Sequence, residues 1–423
     1  FVIAIRHPFR QHSTNSLVPF SCNFHTNSVF LSYFCIKEKN TNMIQIKIVE
    51  TTKELKDFIR FPHKLYKGSD LWVPPLDRDE MSTLCKDINP AFEHCIAEYW
   101  LAYKDGEIVG RIAGIINQTA NAKWGNKVRF GWIDFIEDIN VAKILLQTVE
   151  NWGKEHGMNN IQGPLGFNDM DNEGMLVDGF DKLPTISNIY NYPYYPDFME
   201  KLGYQRDEDW LQFKFNASQA IPEKMERINK LIAEKYKLKV ITFKKSKDIL
   251  KYAHSFFNTL NLAFSNLYGY SKLTDGEIEA LIKNYFSFIN PKLVCFVIDE
   301  HEEVVAFGIS LPSLSRAFQK AKGKLFPFGF IHILRALHKT ESIDLMLNGV
   351  HPEWQKKGIH SLYYVELNKA YIANKVKIAI SNQQLESNVN AVGVWDNYTK
   401  EPYIRRRCYS KLLSPTNVEP DKE

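Results

Sequence analysis

One element order runs through this chain twice, and that recurrence restricts its fold more than any single motif. After Met43, "IQIKIVE" alternates in the manner of a strand, and "TTKELKDFIRFPHKLY" offers a threonine cap followed by helical spacing. "AEYWLAYKDGEIVGRIAGIIN" reads as a hairpin about the Asp105-Gly106 turn. A strand ("VRFGWIDFIED"), an amphipathic helix ("NVAKILLQTVENWGKEHG"), a short strand ("NIQGPLGF"), a helix ending in "PDFMEKLGY" and a last strand ("DEDWLQFKF") follow. The order restarts at "KVITFK". Helical spacing from Ser246 to Phe288 leads to a second hairpin, "KLVCFVIDEHEEVVAFGISL". Strand "IDLMLNGV", helix "HSLYYVELNKAYIANK", strand "VKIAIS", helical "NVNAVGVWDNY" and strand "YIRRRCYSKLL" complete it. Hairpins followed by a β-α-β crossover predict an α/β fold: a mixed sheet with helices on its faces. The expectation is two tandem copies, residues 43–216 and 224–414, joined near Asn216 to Glu223, with a flexible tail over 415–423.

The length of 423 residues accommodates two cores. A formal net charge of +4 is too mild to argue for nucleic acid. The 20 Tyr and 28 Phe suit apolar pockets. None of the six cysteines falls in a CxxC pair and no Cys/His spacing resembles a zinc site, so no metal is expected. Scattered thiols fit a reducing cytoplasm. No run of about 18 apolar residues predicts a spanning helix. Residues 1–42 differ from the rest: Phe1 to Lys37 contains no acidic residue. They read as a transit peptide or, more simply, as an extension upstream of a product starting at Met43, poorly ordered in either case.

The segment "NGVHPEWQKKGIHSLYYVELNKAY" takes a strand into a helix through Gln355, Lys356, Lys357 and Gly358. Such a loop aims several backbone N–H groups at one spot, and the helix beginning near Ser361 adds its positive end; both suit a phosphate. Gly358 allows close backbone approach. An ordinary polar strand-to-helix loop is the alternative.

This segment resembles the Gln/Arg-x-x-Gly-x-Gly/Ala loop of the GCN5-related N-acetyltransferases (GNATs), with His360 where a small residue is usual. "SNVNAVGVW" is similar to that family's Asn-x-x-Ala-x-x-x-Tyr pattern, with Asn388, Ala391 and Trp395 in place of Tyr. Residues 43 to 413 also resemble a narrower bacterial family, the ceramide synthases and their relatives, through "FEHCIAEYWLAYKDGEIVGRIAGIIN", "QGPLGFNDMDNEGMLVDGFDKLPTI" and "YNYPYY". The resemblance implies two tandem GNAT-like domains and an acyl-CoA-dependent N-acyltransferase. Its narrower form implies long-chain acyl transfer to the amino group of a sphingoid base. A small-molecule N-acetyltransferase and a non-catalytic lipid- or CoA-binding protein are the rivals. No permanent cofactor is expected, only acyl-CoA as co-substrate.

By the same resemblance, Val350, Gln355, Lys356, Lys357, Gly358, Ile359, His360, Ser361 and Asn388 hold acyl-CoA. Proton transfer falls to Tyr398, one turn beyond Trp395, or to His351 or His360, with Glu353 weaker and Asn348 orienting a carbonyl. "FNDMDNEGMLVDGFD" gathers Asp169, Asp171, Glu173, Asp178 and Asp181 without EF-hand spacing. Its glycines read as turns; alternatively Glu173 and Asp178, which match the narrower family's motif, bind the amine. In "GKLFPFGFIHILRALHK", Phe328 and Phe330 belong either to a buried helix or to a lipid-facing surface or tunnel. Peripheral contact with the membrane's inner face would follow from the second reading. The first half lacks the glycine loop, and Glu137 and Asp138 would repel pyrophosphate there. One CoA per chain is therefore expected.

Overall fold

A computed structural model describes residues 43–217, 221–286, 289–338, 341–393 and 400–414. Its first half carries β1 (Gln45–Ile48), β2 (Cys95–Lys104), β3 (Glu107–Asn117), β4 (Lys127–Phe135), β5 (Asn160–Gly163), β6 (Met175–Asp178) and β7 (Gln205–Asn216). Its second half carries β8 (Lys239–Thr242), β9 (Val294–Ile298), β10 (Val304–Pro312), β11 (Ser342–Val350), β12 (Ile378–Ile380), β13 (Gln384–Leu385) and β14 (Lys400–Leu412). All join one sheet in the order β1-β2-β3-β4-β5-β14-β7-β12-β11-β10-β9-β8, with β6 on β14 and β13 on β7.

That order is a palindrome in which the two final strands have changed places. β14 lies antiparallel beside β5, pairing Tyr409 with Gly163. β7 lies antiparallel beside β12, pairing Asn216 with Ile378. They meet each other along Lys400↔Phe215 to Ser410↔Gln205. The cores follow the exchange: Tyr409 and Leu413 pack with Trp100, Phe130 and Leu145 of the first half. Phe213 and Phe215 pack with Ile343, Leu362 and Tyr363 of the second. Alternate side chains along each strand face one side of the sheet, so each strand contributes to the core of the other half.

Several predicted helices form, while the stretch from Ser246 is broken into Ser246–Ile249, Ala253–Phe264 and Asp275–Tyr285, and helices such as Glu223–Lys235 are additions. Thr51 and Glu54 make a reciprocal capping box at the start of Thr52–Leu65. Ile139–Glu155 buries Val141, Leu145, Leu146, Val149 and Trp152 on one face. Helix His360–Ala373 lies directly on the sheet at Gly308, where a Cβ would come within 2.7 Å of Leu367 and Tyr363 side chains.

Both halves contain a short parallel pair whose strands then diverge. β4 pairs with β5 only over Lys127–Arg129, and β11 with β12 only over Ser342–Asp344. The first gap is filled. Leu165 N donates to Phe130 O at 2.9 Å, Tyr195 Oη accepts from Phe135 N at 2.9 Å, and Tyr194 Oη donates to Phe135 O at 2.7 Å. The second is spanned by Asn382 Nδ2 donating to Met346 O at 2.7 Å. Beyond that bridge it opens into a cleft.

Candidate active site

The cleft at the diverging β11 and β12 has a volume of about 620 Å³. Asn348, Gly349 and Val350 line one wall, and Pro352, Gln355, Lys356, Ile359 and His360 the loop side. Tyr363 and Tyr364 come from the following helix, Leu385, Ser387, Asn388 and Ala391 from beyond β12, and Phe264, Leu267 and Tyr268 close it. A second cavity of about 150 Å³ shares Asn348, Asn388, Leu385, Phe264, Leu267 and Tyr268, and adds Asp169, Met170 and Glu173 from the first half. The two form one continuous site built by both halves.

The loop has the geometry of an anion cradle. Gln355 Nε2 donates to Val350 O at 3.1 Å, pinning the loop to the end of β11. Lys356 and Gly358 occupy the left-handed region at φ 60° and 76°. Among the described residues, no hydrogen bond uses the N–H of Lys356, Lys357, Gly358, Ile359 or His360. Consecutive free donors on a turn at a helix start form a concave site for an anion. Ser361 Oγ lies 2.6 Å from Asn229 Oδ1 and 2.7 Å from Gly358 O. Asn229 Nδ2 donates to Ser361 O at 2.9 Å. Ser361 therefore braces the loop against helix Glu223–Lys235. Lys357 Nζ lies 4.7 Å from the centre of the Trp354 ring.

The acidic wall divides in two. Glu173 is buried and lines the smaller cavity. Burial and the neighbouring Asp169 carboxyl push its carboxyl well above the usual range, and burial also raises Asp169. Two carboxyls this close share a proton. Asp169 Oδ2 accepts from Ser271 N at 3.3 Å. Arg129, whose guanidinium donates to the carbonyls of Gly166, Phe167 and Gly269, draws the two halves together behind the pair. Asp171 instead organises its own turn by accepting from Phe167 N at 2.8 Å. Asp178 is exposed at the end of β6, and Asp181 pairs with Lys182. Neither lines the cleft.

Of the proton-transfer candidates, His360 lines the cleft, and burial lowers its pKa, favouring neutral imidazole. His351 caps the short turn Pro352–Trp354 by accepting from Glu353 N at 3.3 Å, and is outside the cleft lining. Asn388 accepts from Ala391 N at 3.3 Å and lines both cavities. Tyr398 and Trp395 lie outside the described residues. Phe328 is 69% exposed, and neither it nor Phe330 lines either cavity.

Sequence reasoning missed Tyr268 and Asp169 as a site. Tyr268 lines both cavities, and its hydroxyl contacts Asp207 and lies 3.3 Å from Gln162 Oε1. Burial, with Cys408 and Asp207 alongside, raises its pKa and keeps the phenol protonated. No local motif marks "NLYGYS"; its role depends on which surface the segment packs against.

Two mixed units, each with a splayed parallel pair, joined in one sheet, define a tandem GCN5-related N-acetyltransferase fold. The tandem GNAT protein from the clavulanic acid biosynthesis pathway superposes with a TM-score of 0.50 at 10% identity, covering 89% of this chain and 100% of that one. A glucosamine N-acetyltransferase region of a fungal multi-domain β-N-acetylglucosaminidase gives 0.54 at 13% identity, covering 88% of this chain and 38% of that one. In sequence, Protein YghO of Escherichia coli K12 is 29% identical over 391 residues, spanning 88% of this chain and 97% of its own length. The bacterial ceramide synthase of Caulobacter vibrioides is 27% identical over 379 residues, spanning 86% and 96%. No family model matches the chain.

Proposed function

We propose that this chain is an N-acyltransferase that moves a long acyl group from coenzyme A to the amino group of a sphingoid base or a similar lipid amine. The observation that carries the reading is the meeting, in one cleft, of the free N–H run at Lys356–His360 with the buried Glu173–Asp169 pair. The loop holds the pyrophosphate, and the acyl thioester extends along the edge of β11 toward Glu173. Holding both substrates in line supplies much of the rate.

The chemistry needs no covalent enzyme intermediate. The amine enters as ammonium and gives a proton to the Glu173–Asp169 pair, whose raised basicity suits a general base. Its nitrogen attacks the thioester carbonyl carbon, and the C–S bond breaks as the tetrahedral intermediate collapses. Tyr268 protonates the departing thiolate, and the second proton of the attacking nitrogen passes to the resulting Tyr268 phenolate as the neutral amide forms. Asn348 and Asn388 orient the thioester, and His360 is a second proton carrier at the loop. Support for a lipid amine comes from the near full-length similarity to the Caulobacter ceramide synthase. A lipid substrate also calls for work at a membrane's inner face. Among the described residues no helix is long and apolar enough to cross a membrane.

Incubation of the protein with acyl-CoAs of graded length and a panel of amines, followed by mass detection of amide, tests the reading. Long-chain amide from a sphingoid base is the expected product. Faster turnover of acetyl-CoA with a small amine would replace it with the small-molecule acetyltransferase reading.

A further inference from the structure

We infer that the tip at Phe326–Phe328 is a docking surface for an anionic lipid bilayer. Phe326 and Phe328 are 74% and 69% exposed. They are held out rigidly: Ile333 of the adjoining helix Gly329–His338 is fully buried among Val73, Leu76 and Leu314. Asp77 N donates to Gly323 O at 2.9 Å at the base of the tip. The Phe326 and Phe330 rings lie 5.7 Å apart, making a small aromatic wedge. Neighbouring exposed aromatics rimmed by polar residues mark an interaction surface, and no described residue covers them.

Charge names the partner. No Asp or Glu occurs between Glu303 and Glu341, while Lys320, Lys322, Lys324 and Arg335 surround the wedge in exposed positions. Among the described residues none of these four forms an ion pair. Asp77, at the base of the tip beside Gly323, is already engaged by Arg60 at 2.7 Å and His63 at 3.1 Å. Aromatic side chains flanked by free cations match the boundary between headgroups and acyl chains of an anionic leaflet. The argument stands apart from the acyl-transfer reading, since it uses no residue of the cleft.

The test is sedimentation of the full chain with phosphatidylcholine vesicles, with and without phosphatidylglycerol. Binding is expected on the mixed vesicles, weakened by salt and at least about tenfold poorer on pure phosphatidylcholine. The pair Phe326→Ser and Phe328→Ser lowers binding at least about tenfold, and so does the triple Lys320→Gln, Lys322→Gln, Lys324→Gln. Phe328→Trp provides a second readout, its emission shifting to the blue on the mixed vesicles. Equal binding to both compositions, or binding indifferent to the Phe pair, overturns the proposal. A blue shift with soluble acyl-CoA alone assigns the tip to substrate. A dimer that the Phe pair dissociates assigns it to a second copy; either result also overturns it. Because none of these readouts is catalytic, failure here leaves the acyl-transfer reading intact.

Discussion

In the proposed reaction Glu173 is the residue on which the chemistry turns. Gln replaces it with nearly the same shape and breaks the proton-sharing pair that serves as the base, so Glu173→Gln lowers kcat by about 10²–10⁴-fold and leaves acyl-CoA affinity unchanged. Asp169 is raised to about 6. Activity of the unmodified protein should therefore fall below about pH 6, as the pair takes up its second proton and no base remains. Steady-state rates across pH check this, and the acid limb should move in Glu173→Gln, where Asp169 titrates without a carboxyl neighbour. Asp344 gives a separate prediction about stability. It is buried on β11, and burial pushes its carboxyl up to about 7, above the ordinary aspartate value of 3.8. Between those two values the folded state holds a proton that the unfolded state has released. The contribution of Asp344 to stability is therefore lost as pH rises through that window. Asp344→Asn should raise the unfolding free energy at pH 8 by more than about 1 kcal/mol and leave it nearly unchanged at pH 4. Denaturant titration at both pH values decides it.

At the scale of elements, the loop between β11 and its helix depends on backbone shape. Gly358 sits at φ 76°, and a Cβ there would lie 3.1 Å from Ile232 Cδ1. Gly358→Val therefore adds strain of about 1 kcal/mol or more and presses the loop against helix Glu223–Lys235, displacing the N–H groups of the cradle. Acyl-CoA affinity should drop at least tenfold in calorimetric titration, with the chain still folded by circular dichroism. This loop was legible in the sequence because its chemistry is local: an apolar run, Gln, Gly and helical spacing occur within "VHPEWQKKGIH". The hairpin at Asp105-Gly106 was legible for the same reason, and both residues have positive φ. Glu173 stood out within its acidic run, but Asp178 in the same run faces solvent. Spacing along an irregular loop does not say which carboxylates turn inward. Tyr268 and the exchange of β7 with β14 were invisible, because periodicity identifies a strand but not its neighbour.

The whole molecule is a pair of repeats that complete each other. Boundaries at 43–216 and 224–414 follow the repeat in sequence, and we propose them as repeat limits rather than as separable folding units. Each fragment would lack the strand that closes its sheet and fills its core. Residues 43–216 expressed alone should fail to give a cooperative unfolding transition, and adding residues 224–414 should restore it. A stable, cooperative isolated fragment would show that the exchanged strands are dispensable. The proposed division of labour rests on the asymmetry between the repeats. The first half's strand end is occupied by Tyr194 and Tyr195, and Asp138 caps the following helix while paired with Lys104 at 3.0 Å. The second half's strand end opens on free N–H groups. The central claim is that one acyl-CoA binds to the second half and reacts against a base from the first. Loading purified protein with a long-chain acyl-CoA, measuring the bound stoichiometry, and then chasing with sphingoid base in a single turnover tests it most directly. The account predicts one acyl-CoA per chain in both wild type and Glu173→Gln, with amide formed in the first turnover by wild type alone. Two bound acyl-CoA per chain, or amide from Glu173→Gln at the wild-type rate, would contradict it.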